Sequence, residues 1–534
     1  MGEPSFILAI DLGTSAVKTT LVSSTGEALA VQTRPIETRL LPGGGAEQDP
    51  AQWWAATTDA ARATLAAVPG AAARTLAVAC TTQWAVTVPV DRHGMPLGPA
   101  ISWMDSRGAP YVRQVVAGWP RIMGYQLYKL WTWIRLTGGC PSRAGVDGFA
   151  HILFLKHERP ALYRAAYKFV EPMDYLNARL TGRVVASFGT MFPYWLTDNR
   201  NPHRIAYHPR LLAWSGIDPE KLPLLLPVGS VVGEVKSDVA EDWGLRVGTQ
   251  VVTGSCDGQS AAIGAGAVRD FEAYFYVGST AWMSCHVPRK KTDIRYMLTT
   301  MPAALPGRYV VMAEQGMAGR FLEVVKDNLL LPPSDPSVAC PSDPYAYLDG
   351  LARQVAAGSE GLLFTPWVNG ILVPADDPFT RSTLANFSHR TTRAHVVRAV
   401  LEGVALNVRW LRDHVERFVG RRFPRLRFIG GGAVSDLWCQ IFADVLGVPI
   451  ERVAAPRAAN AVGAALAAFV ALGRHTLDDA ERAVQVDRTF TPSSAETRVY
   501  DELYAEFLRL YRRLKPAYRR WNRGRHKRQS PAAA

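Results

Sequence analysis

Cysteine is sparse in this chain: six residues, at positions 80, 140, 256, 285, 340 and 439, share no Cys-x-x-Cys or Cys/His spacing. Scattered in this way they supply neither a disulfide framework nor a zinc site, and they suit a reducing cytoplasm. Long apolar runs are missing too. The most apolar-leaning of the long uncharged ones, Ala458 to Gly473, is alanine-rich and broken by Asn460 and Gly463, too short and too weakly apolar to span a bilayer. No basic segment opens the chain and its first apolar run reads as a strand, so no secretory leader is expected. Acidic residues are absent after position 511, where Arg512, Arg513, Lys515, Arg519, Arg520, Arg523, Arg525, Lys527 and Arg528 gather. Without these nine the formal net charge falls from +13 to +4, so the basic excess is local and specific nucleic-acid binding is not expected. This end reads as the solvated close of a last helix followed by disorder, with an electrostatic arm for anionic surfaces as the alternative.

What is present is an ordinary globular composition, 48% hydrophobic and 20% charged, spread over 534 residues. That length exceeds what one core serves, so two domains or more with a deep cleft between them are expected. Strand-like runs at Phe6–Ile10, Thr19–Ser23 and Thr75–Cys80 alternate with helical stretches such as 50–67, which Asp49 and Pro50 open as cap and first-turn residue. This is α/β patterning. A second buried strand region begins at Gln250–Gly254 after the proline-rich segment 222–228, which sets a boundary between about 225 and 250 and divides the chain into 1–245, 246–485 and a helix with a basic, disordered tail at 486–534.

The most informative segment is Phe6-Ile-Leu-Ala-Ile-Asp-Leu-Gly-Thr-Ser-Ala-Val-Lys18. A buried strand runs into Asp11, then into Gly13, Thr14 and Ser15, which offer a tight turn, hydroxyls and N–H groups to phosphate oxygens, with Lys18 on the return strand. The plainer reading is a β-hairpin whose Asp and Thr serve the turn. The segment 273–285 repeats the form, a strand, then Gly278, Ser279 and Thr280, then a strand, and two such hairpins facing each other would make a nucleotide cleft. Later, Leu426-Arg-Phe-Ile-Gly-Gly-Gly leads into a helix, Trp438 to Leu446, a design that admits a flat ligand or phosphate against backbone, although the G-x-G-x-x-G spacing is lacking.

In this order the elements resemble the FGGY carbohydrate kinases, a branch of the sugar kinase, Hsp70 and actin superfamily. Asp11-Leu-Gly-Thr-Ser15, Gly254-Ser-Cys-Asp257 through Gly266, and Gly430 through Pro449 carry the resemblance, with weaker support from Pro172–Gly182 and Ile101–Arg107. It covers the chain from Ile7 to about Leu472 and implies two ribonuclease H-like (actin-like ATPase) domains closing on ATP and a sugar. By the same resemblance Asp257 is the general base, Asp11 the acid that holds Mg²⁺, and Thr14, Ser15 and Lys18 the first phosphate element. Gly278, Ser279 and Thr280 form the second, and Gly319, Gly432 and Asp436 flank the nucleoside, Asp436 having a helix cap as its plainer role.

The acceptor pocket departs from the family pattern. Thr82-Gln-Trp-Ala85 keeps Gln83 but puts Trp84 and Ala85 where a Met and a His are usual; Gly258 follows Asp257 in place of Asn or Gln, and Gln259 comes one place late. His151 and its neighbours stand where a Lys and a Trp are usual. Asp105 is a candidate for bridging sugar hydroxyls, or else a loop acid paired with Arg107. Trp84 or Trp103 can stack on a sugar face or serve the core. The resemblance implies phosphorylation of a primary hydroxyl of a small ketose or polyol, a xylulose-like pentulose first among them. The alternatives are a non-catalytic sugar- or nucleotide-binding regulator and, more distantly, an actin- or Hsp70-like ATPase. Oligomeric state is left open, a homodimer included.

Overall fold

The structure, a computed structural model, describes residues 5–330 and 341–529. It is built on two mixed sheets. The first has six strands in the order Val231–Glu234, Gln250–Val252, Thr75–Thr82, Phe6–Leu12, Ala16–Ser23 and Ala28–Pro35. All seven residues of Phe6–Leu12 are buried, because this strand is central and both faces are covered. It runs antiparallel to Ala16–Ser23 and parallel to Thr75–Thr82.

The second sheet has eight strands and repeats this plan. Ala273–Val277 runs antiparallel to Thr280–Val287, which pairs antiparallel with Tyr309–Met317, while Leu426–Ile429 lies parallel on the other side. The internal repeat in the sequence is thus a repeat of sheet topology. Helices cover both sheets, among them Pro50–Ala66, which begins as its sequence indicates: the Asp49 carboxylate accepts from Ala51 N at 2.9 Å, with Pro50 in the first turn. The 27-residue helix Arg393–Val419 packs on the second sheet.

Between the sheets lie two short-residue helices, Asp257–Gly264 and Ala459–Ala471. Ile263, Ala461, Leu466 and Phe469 pack on Ile7, Ala9 and Ala77 of the first sheet, while Ala261, Ala262 and Ala459 pack on Tyr274, Trp282 and Ile429 of the second. They touch backbone to backbone: a Cβ on Gly264 would lie 1.8 Å from Ala459 O, and one on Gly463 1.8 Å from Ser260 O.

Two expectations are corrected here. Gln250–Val252 is hydrogen-bonded to Thr75–Thr82 and belongs to the first sheet, so a boundary at 245/246 cuts through that sheet. A buried three-residue strand has no signature that tells which sheet it joins. The basic end also continues as helix: Ser494–Gln529 runs through the region assigned to a disordered tail. Tyr500, Phe507, Tyr511 and Tyr518 form a buried stripe on one helix face, which gives this segment a tertiary anchor; residues 530–534 lie outside the described part. No helix among the described residues is long and apolar enough to cross a membrane.

Candidate functional site

Asp11 stands at the end of the central strand, directly across from Lys18, with Nζ 3.7 Å from its Oδ2. Its carboxyl is buried, and loss of hydration raises its pKa while the Lys18 charge draws it back. Gly13 N donates to Ala16 O at 3.0 Å and closes the turn. A Cβ at Gly13 would meet Ala16 O at an ordinary 3.4 Å, so the fold does not demand glycine there; its effect is to leave the turn backbone uncovered. Thr14 Oγ1 donates to Gln83 Oε1 and accepts from Trp103 Nε1, each at 3.1 Å, while Ser15 is exposed at the tip.

The second hairpin is built from backbone. Gly278 N donates to Thr280 O, Ala318 N to Ser279 O and Gly319 N to Gly278 O, at 2.8 to 2.9 Å, so the start of the helix Gly319–Val325 is sewn to the turn. A Cβ at Gly319 would lie 2.4 Å from Gly278 O, and one at Gly278 2.1 Å from Tyr276 Oη. Gly430, at φ +97°, closes on Val277 O, where a Cβ would lie at 2.6 Å; Gly432 lies against Val277 and Trp438. Glycines from three segments therefore expose main chain around the end of one strand, the condition for a phosphate or a flat ring to approach.

Asp257 heads its helix, and its Oδ1 accepts from Gly258 N at 2.7 Å. Burial, reinforced by the charge of Asp11 and opposed by Lys18, pushes its carboxyl up to about 7. Asp11, Lys18 and Asp257 thus share one electrostatic site, brought together from segments far apart in sequence. Glu314 joins them. It is reached by solvent, but enough protein surrounds it that loss of hydration, with the charge of Asp257, pushes its carboxyl up to about 7. The sequence reading missed Glu314; its signal was a lone acid at the end of the apolar run Tyr309–Ala313, just before Gln315-Gly-Met-Ala-Gly319. No three His, Cys, Asp or Glu side chains among the described residues gather as a metal cage. Two carboxylates beside one lysine instead suit a hard divalent cation that arrives with phosphate oxygens.

At the acceptor end the residues meet different fates. Gln83 is buried and its amide is committed: Nε2 donates to Gln48 Oε1 at 2.7 Å and Oε1 accepts from Thr14. Trp84 stacks on Phe192, centroids 5.7 Å apart, and its buried Nε1 has no partner among the described residues. Phe192 packs with Met301, Ala303 and Val310, and Trp84 and Met312 lie against that cluster. Met312 also occupies the space beside the base: a Cβ at Gly258 would lie 2.3 Å from its Cε. Where an amide side chain could follow Asp257, this chain has a thioether.

Two sequence assignments change, those of Asp105 and Asp436. Asp105 is wholly buried and saturated, accepting from Ala46 N and Arg107 N at 2.9 Å and from the Arg107 guanidinium at 2.6 Å; Arg107 also pairs with Glu47. It has no oxygen left for a sugar hydroxyl and acts as the anchor of an ion-pair network. Asp436 is likewise held, by Arg452 at 2.6 Å and Arg488 at 2.5 Å on two adjacent strands, while Ser435 is the residue that caps its helix, accepting from Trp438 N. Gln259 is fully buried, and its Nε2 donates to Pro302 O at 2.8 Å. His151 is a core histidine: burial lowers it to about 4, and its Nδ1 lies 3.3 Å from Thr87 Oγ1.

The model of the FGGY family of carbohydrate kinases, N-terminal domain, matches residues 6–264, and that of the C-terminal domain matches residues 273–472. Xylulose kinase of Staphylococcus epidermidis is 26% identical over 515 residues, spanning 95% of this chain and 97% of that protein. Autoinducer-2 kinase of Klebsiella pneumoniae is 26% identical over 523 residues, spanning 95% and 94%. The crystal structure of xylulose kinase from Rhodospirillum rubrum superposes with a TM-score of 0.80 at 28% identity, over 96% of this chain and 99% of that one.

Proposed function

Since this chain belongs to the FGGY family of carbohydrate kinases and is a phosphotransferase, we propose that it moves the γ-phosphoryl group of ATP to a primary hydroxyl of a small linear sugar, a ketose of the xylulose type or a polyol. The observation that carries this reading is Asp257, poised near neutrality beside Asp11 and Lys18. As the acceptor oxygen forms its bond to phosphorus, Asp257 takes the hydroxyl proton, and the bond between the γ-phosphorus and the bridging oxygen breaks to release ADP. A carboxylate held near 7 by burial is a stronger base when ionised than an ordinary one, yet about half of it is ionised at neutral pH.

Thr14, Ser15 and Lys18 are assigned to the β- and γ-phosphates from one side, and the uncovered backbone of Gly278, Ser279, Thr280 and Gly319 from the other; Gly432 leaves room for the nucleoside. Asp11 would hold Mg²⁺ through water. Bound there, the ion supplies charge neutralisation on the transferring group. Gln83 is a positioning residue that fixes Thr14, and Trp84 is the wall of the acceptor site.

Trp84, Phe192 and Met312 favour an acceptor with fewer hydroxyls on the side that faces them than a pentulose carries. A relative named autoinducer-2 kinase stands at the same identity as one named xylulose kinase, so autoinducer-2 is the second reading for the acceptor. An ADP-release assay across ketoses, polyols, gluconate and autoinducer-2 tests both. Stimulation by a ketose or polyol supports the first and stimulation by autoinducer-2 alone the second; ATP binding with no stimulation by any acceptor overturns the kinase reading.

A further inference from the structure

Between Asp105 and Asp147 the chain has no acidic residue, whereas Arg107, Arg113, Arg121, Lys129, Arg135 and Arg143 fall in the same interval. This interval carries a small protruding structure, the hairpin Arg121–Ile122 and Tyr125–Gln126 followed by the helix Leu127–Thr137. Met123 and Gly124 make its tip, both at positive φ. Apolar side chains cover its outside. Trp119 is 87% exposed, Met123 and Trp131 53% each, and Ile122, Leu127 and Tyr128 between 41% and 48%. Elsewhere among the described residues exposed large apolar side chains are scattered; six together form the kind of patch that marks a binding surface.

Beside this crest is a cavity of about 130 Å³ bordered by Trp131, Arg135, Arg200, His208 and Arg210. Arg200 is neutralised by Asp198 at 2.6 Å. Arg135 lies over the Trp131 ring at 5.2 Å, and Arg210 donates to Tyr128 Oη at 2.6 Å. No carboxylate among the described residues pairs with either. Two arginines with uncancelled charge therefore border a recess at the foot of an apolar crest.

We infer that the crest at Trp119–Trp131 and the arginine-lined recess beneath it dock this protein on a membrane surface rich in anionic phospholipid. The recess takes headgroup phosphate, and Trp119, Ile122, Met123 and Leu127 enter the boundary between headgroups and acyl chains. Tryptophan and tyrosine above basic side chains suit that boundary because each has an apolar body and a polar tip. A second copy of the chain fits less well: in a two-fold contact the patch meets itself, which sets Arg121, Arg135 and Arg210 against their own copies with no acid in the interval to separate them. Nucleic acid supplies the anions but no apolar phase for Met123 and Ile122. The inference does not depend on the acceptor of the kinase.

The test is co-sedimentation of the full chain with vesicles of phosphatidylcholine alone and of phosphatidylcholine with phosphatidylglycerol. Binding to the anionic vesicles, weakened by high salt, and little to the neutral ones is expected. The double variant Trp119→Ser with Met123→Ser, and separately Arg135→Gln with Arg210→Gln, should each reduce that binding about tenfold or more, with melting temperature and phosphotransfer unchanged. Failure to sediment with anionic vesicles overturns the inference. So does binding that both double variants retain, since the arginines and lysines after position 511 would then be responsible. Patch-dependent dimerisation, or patch-dependent retention on DNA, without vesicle binding would equally replace the membrane with another partner.

Discussion

Two residues before Gly13 stands Asp11, and two residues before Gly278 stands Tyr276. Each faces its cross-strand neighbour at the same step of its hairpin: Asp11 faces Lys18, and Tyr276 faces Trp282. In the first hairpin that step is an ion pair at 3.7 Å; in the second it is an aromatic stack with centroids 3.7 Å apart and planes 10° from parallel. One backbone plan thus carries charge on one side of the cleft and shape on the other. Tyr276 cannot share the task of Asp11, since burial and the charges of Asp257 and Asp11 push its phenol well up and keep it neutral. The difference teaches that the repeat is a repeat of main-chain architecture, within which the side chains have divided the work: the first hairpin sets the electrostatics felt by Asp257, and the second offers exposed backbone and a fixed wall.

The largest effect expected from this division lies at Asp257, where the field of the first hairpin is read out. Asp257→Asn should lower sugar-dependent ADP release about 10²–10⁴-fold while ATP binding by calorimetry persists; near-normal turnover would remove Asp257 from the chemistry. The same variant has a stability signature. Burial and Asp11 hold the folded carboxyl near 7, whereas the unfolded one ionises near its ordinary ~4. Between those values the native state keeps a proton that the unfolded chain has lost, so the stability present below about pH 4 declines as pH rises through about 7. Without divalent ions, Asp257→Asn should therefore melt higher than the parent at pH 8 and equally near pH 4.

Asp11→Asn comes next. If the carboxylate acts on the metal through water, apparent Mg²⁺ affinity measured from initial rates should fall about 10–100-fold, the range for outer-shell partners. An unchanged Mg²⁺ dependence would break the charge half of the comparison. On the opposite wall, Gly319→Ala places a methyl 2.4 Å from Gly278 O, a backbone atom with little freedom to yield. The expected loss is about 1–3 kcal/mol of overpacking strain, read as weaker ATP binding with the pH profile unmoved. Tyr276→Phe is the smallest change: it removes a neutral hydroxyl and keeps the ring stack on Trp282, so turnover should stay within about twofold. A large shift in the pH profile of this variant would show that the second hairpin carries charge after all.

Much of the site was legible because it is written in contiguous segments. Asp11 with Gly13 and Lys18, Gly278 with Thr280, and Asp257 after a buried strand each declare a strand, a turn and a reactive group within a few residues. Illegible were the carboxylates whose state depends on distant partners. Asp105 looked available until Ala46 N and Arg107 filled it, and Asp436 until Arg452 and Arg488 arrived from two other strands. Glu314 escaped for the opposite reason, since nothing beside it in sequence reveals that Asp257 is near. The short strand Gln250–Val252 was found but given to the wrong sheet, because burial identifies a strand without naming its neighbour. At the chain end, counting charge overlooked the stripe of Tyr500, Phe507, Tyr511 and Tyr518 that turns a basic segment into a packed helix.

The contact between Gly264 and Gly463 has a consequence for where the proposed base stands while the protein works. Asp257 begins a helix that leans on both sheets and is fused to neither, pressed main chain to main chain against its alanine-rich companion. Such a pair meets mainly through small residues and main chain, a contact of the kind at which packed helices can slide. The carboxylate sits between the two sheets, and the proposed reaction would bring nucleotide and acceptor inward to it as spokes meet an axle. A single methyl at either glycine is then a wedge in the bearing, able to slow every turnover from a position that no substrate touches.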